Sequence, residues 1–125
     1  MSRLPWVTVG FVILCVGTAL SGLGEQWLTY DRAHAGQLWR YATANIVHHD
    51  NYHLLTNVLA FILLAGTLEH RKSPGVLIAL ILVTSLASTA TLHFWLPAYG
   101  SFAGASCISY AILGYLLFEI GRAHV

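Results

Sequence analysis

Apolar residues gather along the chain into four runs, Pro5 to Gly24, His53 to Leu68, Gly75 to Leu96 and Phe102 to Phe118. Each predicts a helix, since an isolated strand in lipid would leave its backbone N–H and C=O groups unpaired. The first run follows Arg3 and, at about 20 residues, is long enough to span a bilayer. It reads as a retained span, with a signal anchor as the alternative. Between the first two runs, Glu25 to Tyr52 holds five of the eleven charged residues together with Trp27, Tyr30, Trp39 and Tyr41, aromatics of the kind that favour the membrane interface. A structured loop lying against the bilayer surface is expected there. The fold class that follows is all-α, a polytopic membrane bundle of four transmembrane helices.

Composition agrees: 57% of the 125 residues are hydrophobic and 9% charged, against about 25% charged in an ordinary soluble domain. A net charge of +1 with no basic run leaves nothing to neutralise a phosphate backbone, so nucleic acid is excluded as a partner. Cys15 and Cys107 lie in separate apolar runs and read as packed hydrophobes, not as a disulfide or a metal pair. Arg71 and Lys72 stand in the short "EHRKSPG" connection, whereas Arg32 and Arg40 in the long loop are offset by Glu25, Asp31 and Asp50. The positive-inside rule then puts the short connection and Arg3 in the cytoplasm and the long loop outside. Ser106, at the start of the fourth run, opens on the same outer side.

His53 and Asn57 are four residues apart at the start of a helix and share one face near that surface. Polar side chains at membrane depth are costly and face a bundle interior, so His53, Asn57 and Ser106 converge on one wet pocket or else serve as separate interhelical hydrogen bonds. For Ser106 the residues alone leave two readings open, a nucleophile or a small residue where two helices touch.

The stretch from Trp39 to Tyr115 resembles the rhomboid family of intramembrane serine proteases. The likeness rests on the pair Trp39-Arg40, the His-x4-His-x3-Asn pattern at His48, His53 and Asn57, then Gly66 and Glu69, then Gly104-Ala105-Ser106, Tyr110 and Gly114. It implies a six-helix core of which this chain holds four spans, with Ser106 as nucleophile and His53 and Asn57 stabilising the oxyanion. By the same resemblance Tyr110 packs against the catalytic histidine, Gly114 allows close helix approach, Trp39, Arg40 and His48 brace the loop, and Glu69 caps the loop between the second and third spans. Substrates would be transmembrane proteins, the lipid bilayer the other partner and the bacterial inner membrane the setting; no cofactor or metal is implied. The run "LTYDRAHAGQLWR" is also similar to the rhombosortase branch, which is thought to process proteins bearing a C-terminal Gly-Gly anchor, although the serine neighbourhood is not typical of it.

Two departures from the family stand out. Cys107 occupies the position after the serine where the family usually has Gly, and its larger side chain is expected to loosen the serine geometry. The family also takes its general base from a histidine on the sixth span, so the chain is expected to be a truncated and inactive fragment. His93, the unassigned histidine at similar depth, reads as an interfacial residue beside Trp95. The last seven residues, "EIGRAHV", match the translation of a common sequencing adapter, so Glu119 to Val125 read as a tail derived from it with Phe118 the last genuine residue, and the helix is expected to break there. The competing classes are a non-catalytic rhomboid-like protein that binds membrane clients and a metal or haem protein. His49 and His53 share a possible ligand face, but no Cys, Glu or further His has a spacing that completes a metal site.

Overall fold

The computed structural model describes residues 3–125. Four long helices, α1 (Trp6–Ser21), α4 (Asn51–Arg71), α5 (Pro74–Trp95) and α6 (Ser106–Ala123), make the bundle. Two one-turn helices, α2 (Gly24–Trp27) and α3 (Arg40–Thr43), lie in the long loop, and two short strands, β1 (Tyr30–Asp31) and β2 (Ser101–Phe102), pair antiparallel. The fold is therefore all-α apart from this one small ladder.

α4 and α5, of 21 and 22 residues, are long and apolar enough to cross a membrane; at 1.5 Å per residue they run about 31 and 33 Å. The other two expected spans fall short of that standard. α1 is apolar but has only 16 residues, because Gly22 adopts a left-handed φ of 69° and closes the helix two residues before Gly24. α6 begins at Ser106, not Phe102, because Ser101 and Phe102 are drawn into the ladder with Asp31 and Tyr30. The expected break after Phe118 is also absent. α6 continues to Ala123, and Glu119 on its surface pairs with Lys72 at 2.5 Å.

The core joins Phe11 and Cys15 of α1, Phe61, Ala65 and Leu68 of α4, Leu77 of α5, and Ile108, Ile112 and Leu116 of α6. Phe11 and Phe61 stack with ring centroids 4.3 Å apart. The helices are equally apolar on their outward faces, where Ile13, Leu63, Val83 and Leu117 are all more than half exposed. A helix that is hydrophobic all round suits lipid and would be costly in water.

One end of the bundle is fastened by Glu69. Its carboxylate, buried near the end of α4, accepts the Val7 N–H at 3.0 Å, the Thr8 N–H at 2.9 Å and the Thr8 hydroxyl at 2.8 Å. These amides lie in the first turn of α1, which has no partner for them within its own helix. Glu69 thus caps α1, not the connection between α4 and α5 as expected. Negative charge at a helix N-terminus is favoured by the helix dipole as well.

Candidate active site

At the opposite end, α4 and α6 begin side by side. Asp50 starts α4 two residues earlier than the apolar run suggests, because its Oδ1 accepts the His53 N–H at 2.7 Å. This cap fixes the first turn that carries His53 and, one turn on, Asn57. Asn57 is buried, and its Nδ2 donates to the His53 carbonyl at 2.8 Å. An amide nitrogen carries two N–H groups, and among the described residues only the His53 carbonyl accepts from this one.

Ser106 is the first residue of α6, and no side chain caps that helix. The N–H of Ser106, in the first turn, therefore has no side-chain acceptor, at a helix end that favours negative charge. Ser106 and Asn57 line one groove of about 360 Å³ between α4 and α6, together with Thr56, Ala60, Ser109 and Tyr110. Tyr110 is largely exposed there, and Gly114 faces open space, so the close helix approach expected at Gly114 is not made in this structure. Cys107 is half-exposed.

Gly104 links His53 to Ser106. It has a φ of +121°, a region L side chains rarely adopt, and a Cβ there would stand 3.0 Å from His53 Cε1. The imidazole lies against the backbone two residues before the serine. His48 completes the approach: its ring meets that of His53 edge-on at 5.2 Å, and its Nε2 accepts the Ala105 N–H over a long 3.4 Å. The structure thus brings His48, His53, Asn57, Gly104 and Ser106 together.

Burial and the neighbouring His53 push the His48 pKa down to about 4. Its Nδ1 turns toward the Ile46 backbone but closes no hydrogen bond within reach. Protonation of His48 would replace the Nε2 acceptor with a second N–H facing the Ala105 N–H. The unfolded chain takes up this proton near pH 6.5, whereas the folded one resists until about pH 4. The His48 contribution is thus complete above pH 6.5 and lost progressively as pH falls toward 4. Thermal unfolding in detergent between pH 7 and 4 should show this decline, and His48→Gln should flatten it.

Trp39 and Arg40 lie in the loop, away from the groove. Arg40 is buried and donates to the Thr29 carbonyl at 2.7 Å, the Gln26 carbonyl at 2.9 Å and Gln37 Oε1 at 2.6 Å. Trp39 Nε1 donates to the Trp27 carbonyl at 3.1 Å. Sequence reasoning missed a second set of residues. Tyr30 is fully buried and its hydroxyl is 2.6 Å from His93 Nδ1, while Arg32 reaches the C-terminal carbonyls of α5. A cation near a helix C-terminus is a recognisable tendency, but nothing in the spacing pairs residue 32 with residues 92 and 93.

Among the described residues, no group of three or more His, Cys, Asp or Glu side chains is arranged to hold a metal ion. Three histidines outside the site are engaged elsewhere, His34 with Asp31, His49 with Glu25 and His93 with Tyr30. His70 lies in the last turn of α4, at the far end.

Comparison with known proteins adds two findings. A family model described as Rhomboid domain matches residues 35–125. The chain is 32% identical over 120 residues to a protein named Rhomboid protease GlpG homolog from Cronobacter sakazakii (strain ATCC BAA-894), covering 88% of this chain and 42% of that relative. The chain therefore spans less than half the length of this curated relative.

Proposed function

The chain belongs to the rhomboid family, whose members are integral membrane proteins, and from that premise we propose that it is the four-helix part of an intramembrane serine endopeptidase with Ser106 as nucleophile. The observation that carries this reading is the groove shared by Ser106 and Asn57, with the His53 ring against Gly104 at its edge. The hydroxyl of Ser106 would attack a substrate carbonyl and form an acyl-enzyme, which water then hydrolyses. The second N–H of Asn57, the His53 ring and the open N–H of Ser106 would donate to the oxyanion, at the helix end where negative charge is favoured.

The proton of Ser106 needs a base within about 2.6 to 3.2 Å. His53 is assigned to the oxyanion and cannot take that proton at the same time, and His48 uses Nε2 on the Ala105 N–H. In this reading the base comes from a helix outside these 125 residues, and the chain alone does not cleave. A transmembrane reporter should be cut when a longer parent gene supplies that helix, and Ser106→Ala should abolish cutting. Cutting that survives Ser106→Ala removes the serine from the mechanism. A parent gene with no such histidine would favour the alternative, a non-catalytic relative that binds membrane clients.

All four long helices are read as crossing the membrane, with the groove on the outer face of the bacterial inner membrane and transmembrane proteins as substrates. Arg71 and Lys72 between α4 and α5, against the acid-balanced loop, support this orientation. Single-cysteine labelling in intact cells should find Asp50→Cys accessible from outside and Lys72→Cys only after permeabilisation. The reverse pattern would turn the groove inward.

A further inference from the structure

The residues leading into Ser106 are held almost one by one from the long loop. Arg32 donates through Nη1 to the His93 carbonyl at 3.0 Å, through Nη2 to Leu92 and Leu96 at 3.1 and 3.3 Å, and through Nε to Tyr99 at 3.3 Å. Its own N–H donates to the Gly100 carbonyl at 2.8 Å. Ser101 and Phe102 then pair with Asp31 and Tyr30, the Gly104 N–H donates to the Ala44 carbonyl at 2.9 Å, and the Ala105 N–H reaches His48. From Tyr99 to Ala105, only Ala103 lacks such a tie.

We propose that Arg32 and Tyr30 are positioning residues for Ser106: together they clamp the end of α5 to the loop and so fix where the segment Tyr99–Ala105 delivers the start of α6 beside Asn57. The geometry is specific to a guanidinium. The last carbonyls of a helix run short of helical donors: Leu92 still accepts the Leu96 N–H at 3.2 Å and Leu96 the Tyr99 N–H at 3.0 Å, and a planar fork of five N–H groups can add a donor to these and serve His93 at once, where a lysine ammonium acts as a single point charge. Tyr30 contributes from the other side. Its ring is wholly buried against Tyr41, and its hydroxyl bonds His93 in the last turn of α5. Neither residue touches the groove, so neither is catalytic.

This role rests on Ser106 being the nucleophile, and the test is chosen to separate the two claims. In the full chain carrying Ser106→Cys and Cys107→Ser, with Cys15 left buried, the alkylation rate of the introduced thiol is followed with iodoacetamide against pH. A thiol held at the open N-terminus of α6 should titrate clearly below the ordinary value of about 8.5. Adding Arg32→Gln should move the midpoint back up and slow alkylation at pH 7 about fivefold or more, with the helical signal retained at the temperature of the assay. Arg32→Lys should not restore it. Tyr30→Phe, which keeps the buried ring, should shift the profile the same way by less, and it carries the test if Arg32→Gln fails to fold. A lowered midpoint indifferent to both substitutions overturns the clamp. A midpoint that is ordinary with Arg32 and Tyr30 intact overturns the placement of Ser106, and the clamp's purpose with it.

Discussion

Replacing Asn57 with alanine, in a longer parent protein that supplies the base, is expected to lower kcat for reporter cleavage about a hundred- to a thousandfold with little change in KM. That is the usual range for removing one oxyanion donor. The expectation comes from how the amide is held. Asn57 is buried, one N–H is fixed on the His53 carbonyl at 2.8 Å, and the side chain lines the groove that Ser106 also lines. A donor already oriented when charge develops costs no reorganisation at that moment, and losing a contact made only in the transition state lowers kcat without raising KM. Asn57→Asp tests the charge requirement: it keeps the shape but places an acceptor where donors are needed, and should be as damaging as alanine. A rise in KM at constant kcat would instead make Asn57 a substrate-binding residue.

The largest loss of stability is expected at Glu69, far from the groove. Glu69→Ala strands the Val7 and Thr8 N–H groups and the Thr8 hydroxyl, all buried at the junction of α1 and α4. A hydrogen bond to a charged group contributes about 1.5 to 3 kcal/mol, and an orphaned buried donor costs about 1 to 3 kcal/mol. Even with heavy discounting for overlap, the change should cost about 3 kcal/mol or more. Reversible unfolding in mixed micelles should show it, with α1 exchanging its amides first. Glu69→Gln keeps one acceptor oxygen and should recover part of the loss. Equal stability of wild type and Glu69→Ala would mean that α1 is held by its Phe11–Phe61 packing alone.

What the sequence made legible follows from which forces are local. The helical bundle is written in the apolar runs, because backbone groups in lipid must be satisfied within each helix. The face shared by His53 and Asn57 follows from their spacing alone. Helix ends were less accessible. Gly22 closes α1 through a backbone conformation that a run of small apolar residues does not announce, and α6 starts late because Phe102 is claimed by Tyr30 some 70 residues earlier in the chain. Glu69 was misplaced for the same reason: its partners lie 61 and 62 residues away, while its neighbours in sequence suggest a local cap. The clamp formed by Tyr30, Arg32 and His93 is likewise long-range, and residues of those types at a membrane interface read equally well as anchors.

His53 and Gly104 make the point in the other direction. A glycine two residues before a serine is a weak signal, but in the structure it is the one place where the backbone takes a φ of +121° and where any side chain would meet the His53 ring. The residue type is set by the neighbour that packs on it. Spacing within one helix can place His53 near a surface; only the fold shows that it lies against the turn that presents Ser106.

The central claim, that Ser106 is a nucleophile whose base lies outside these residues, is tested most directly by labelling with a fluorophosphonate probe in detergent. The 125-residue chain, its Ser106→Ala variant and a longer parent that supplies a candidate base are compared at neutral pH. Labelling of the parent, lost on Ser106→Ala, is expected, with none of the 125-residue chain. Labelling of the 125-residue chain that disappears with Ser106→Ala would contradict it, because a base would then have to be present among His48, His53 and the other residues described here.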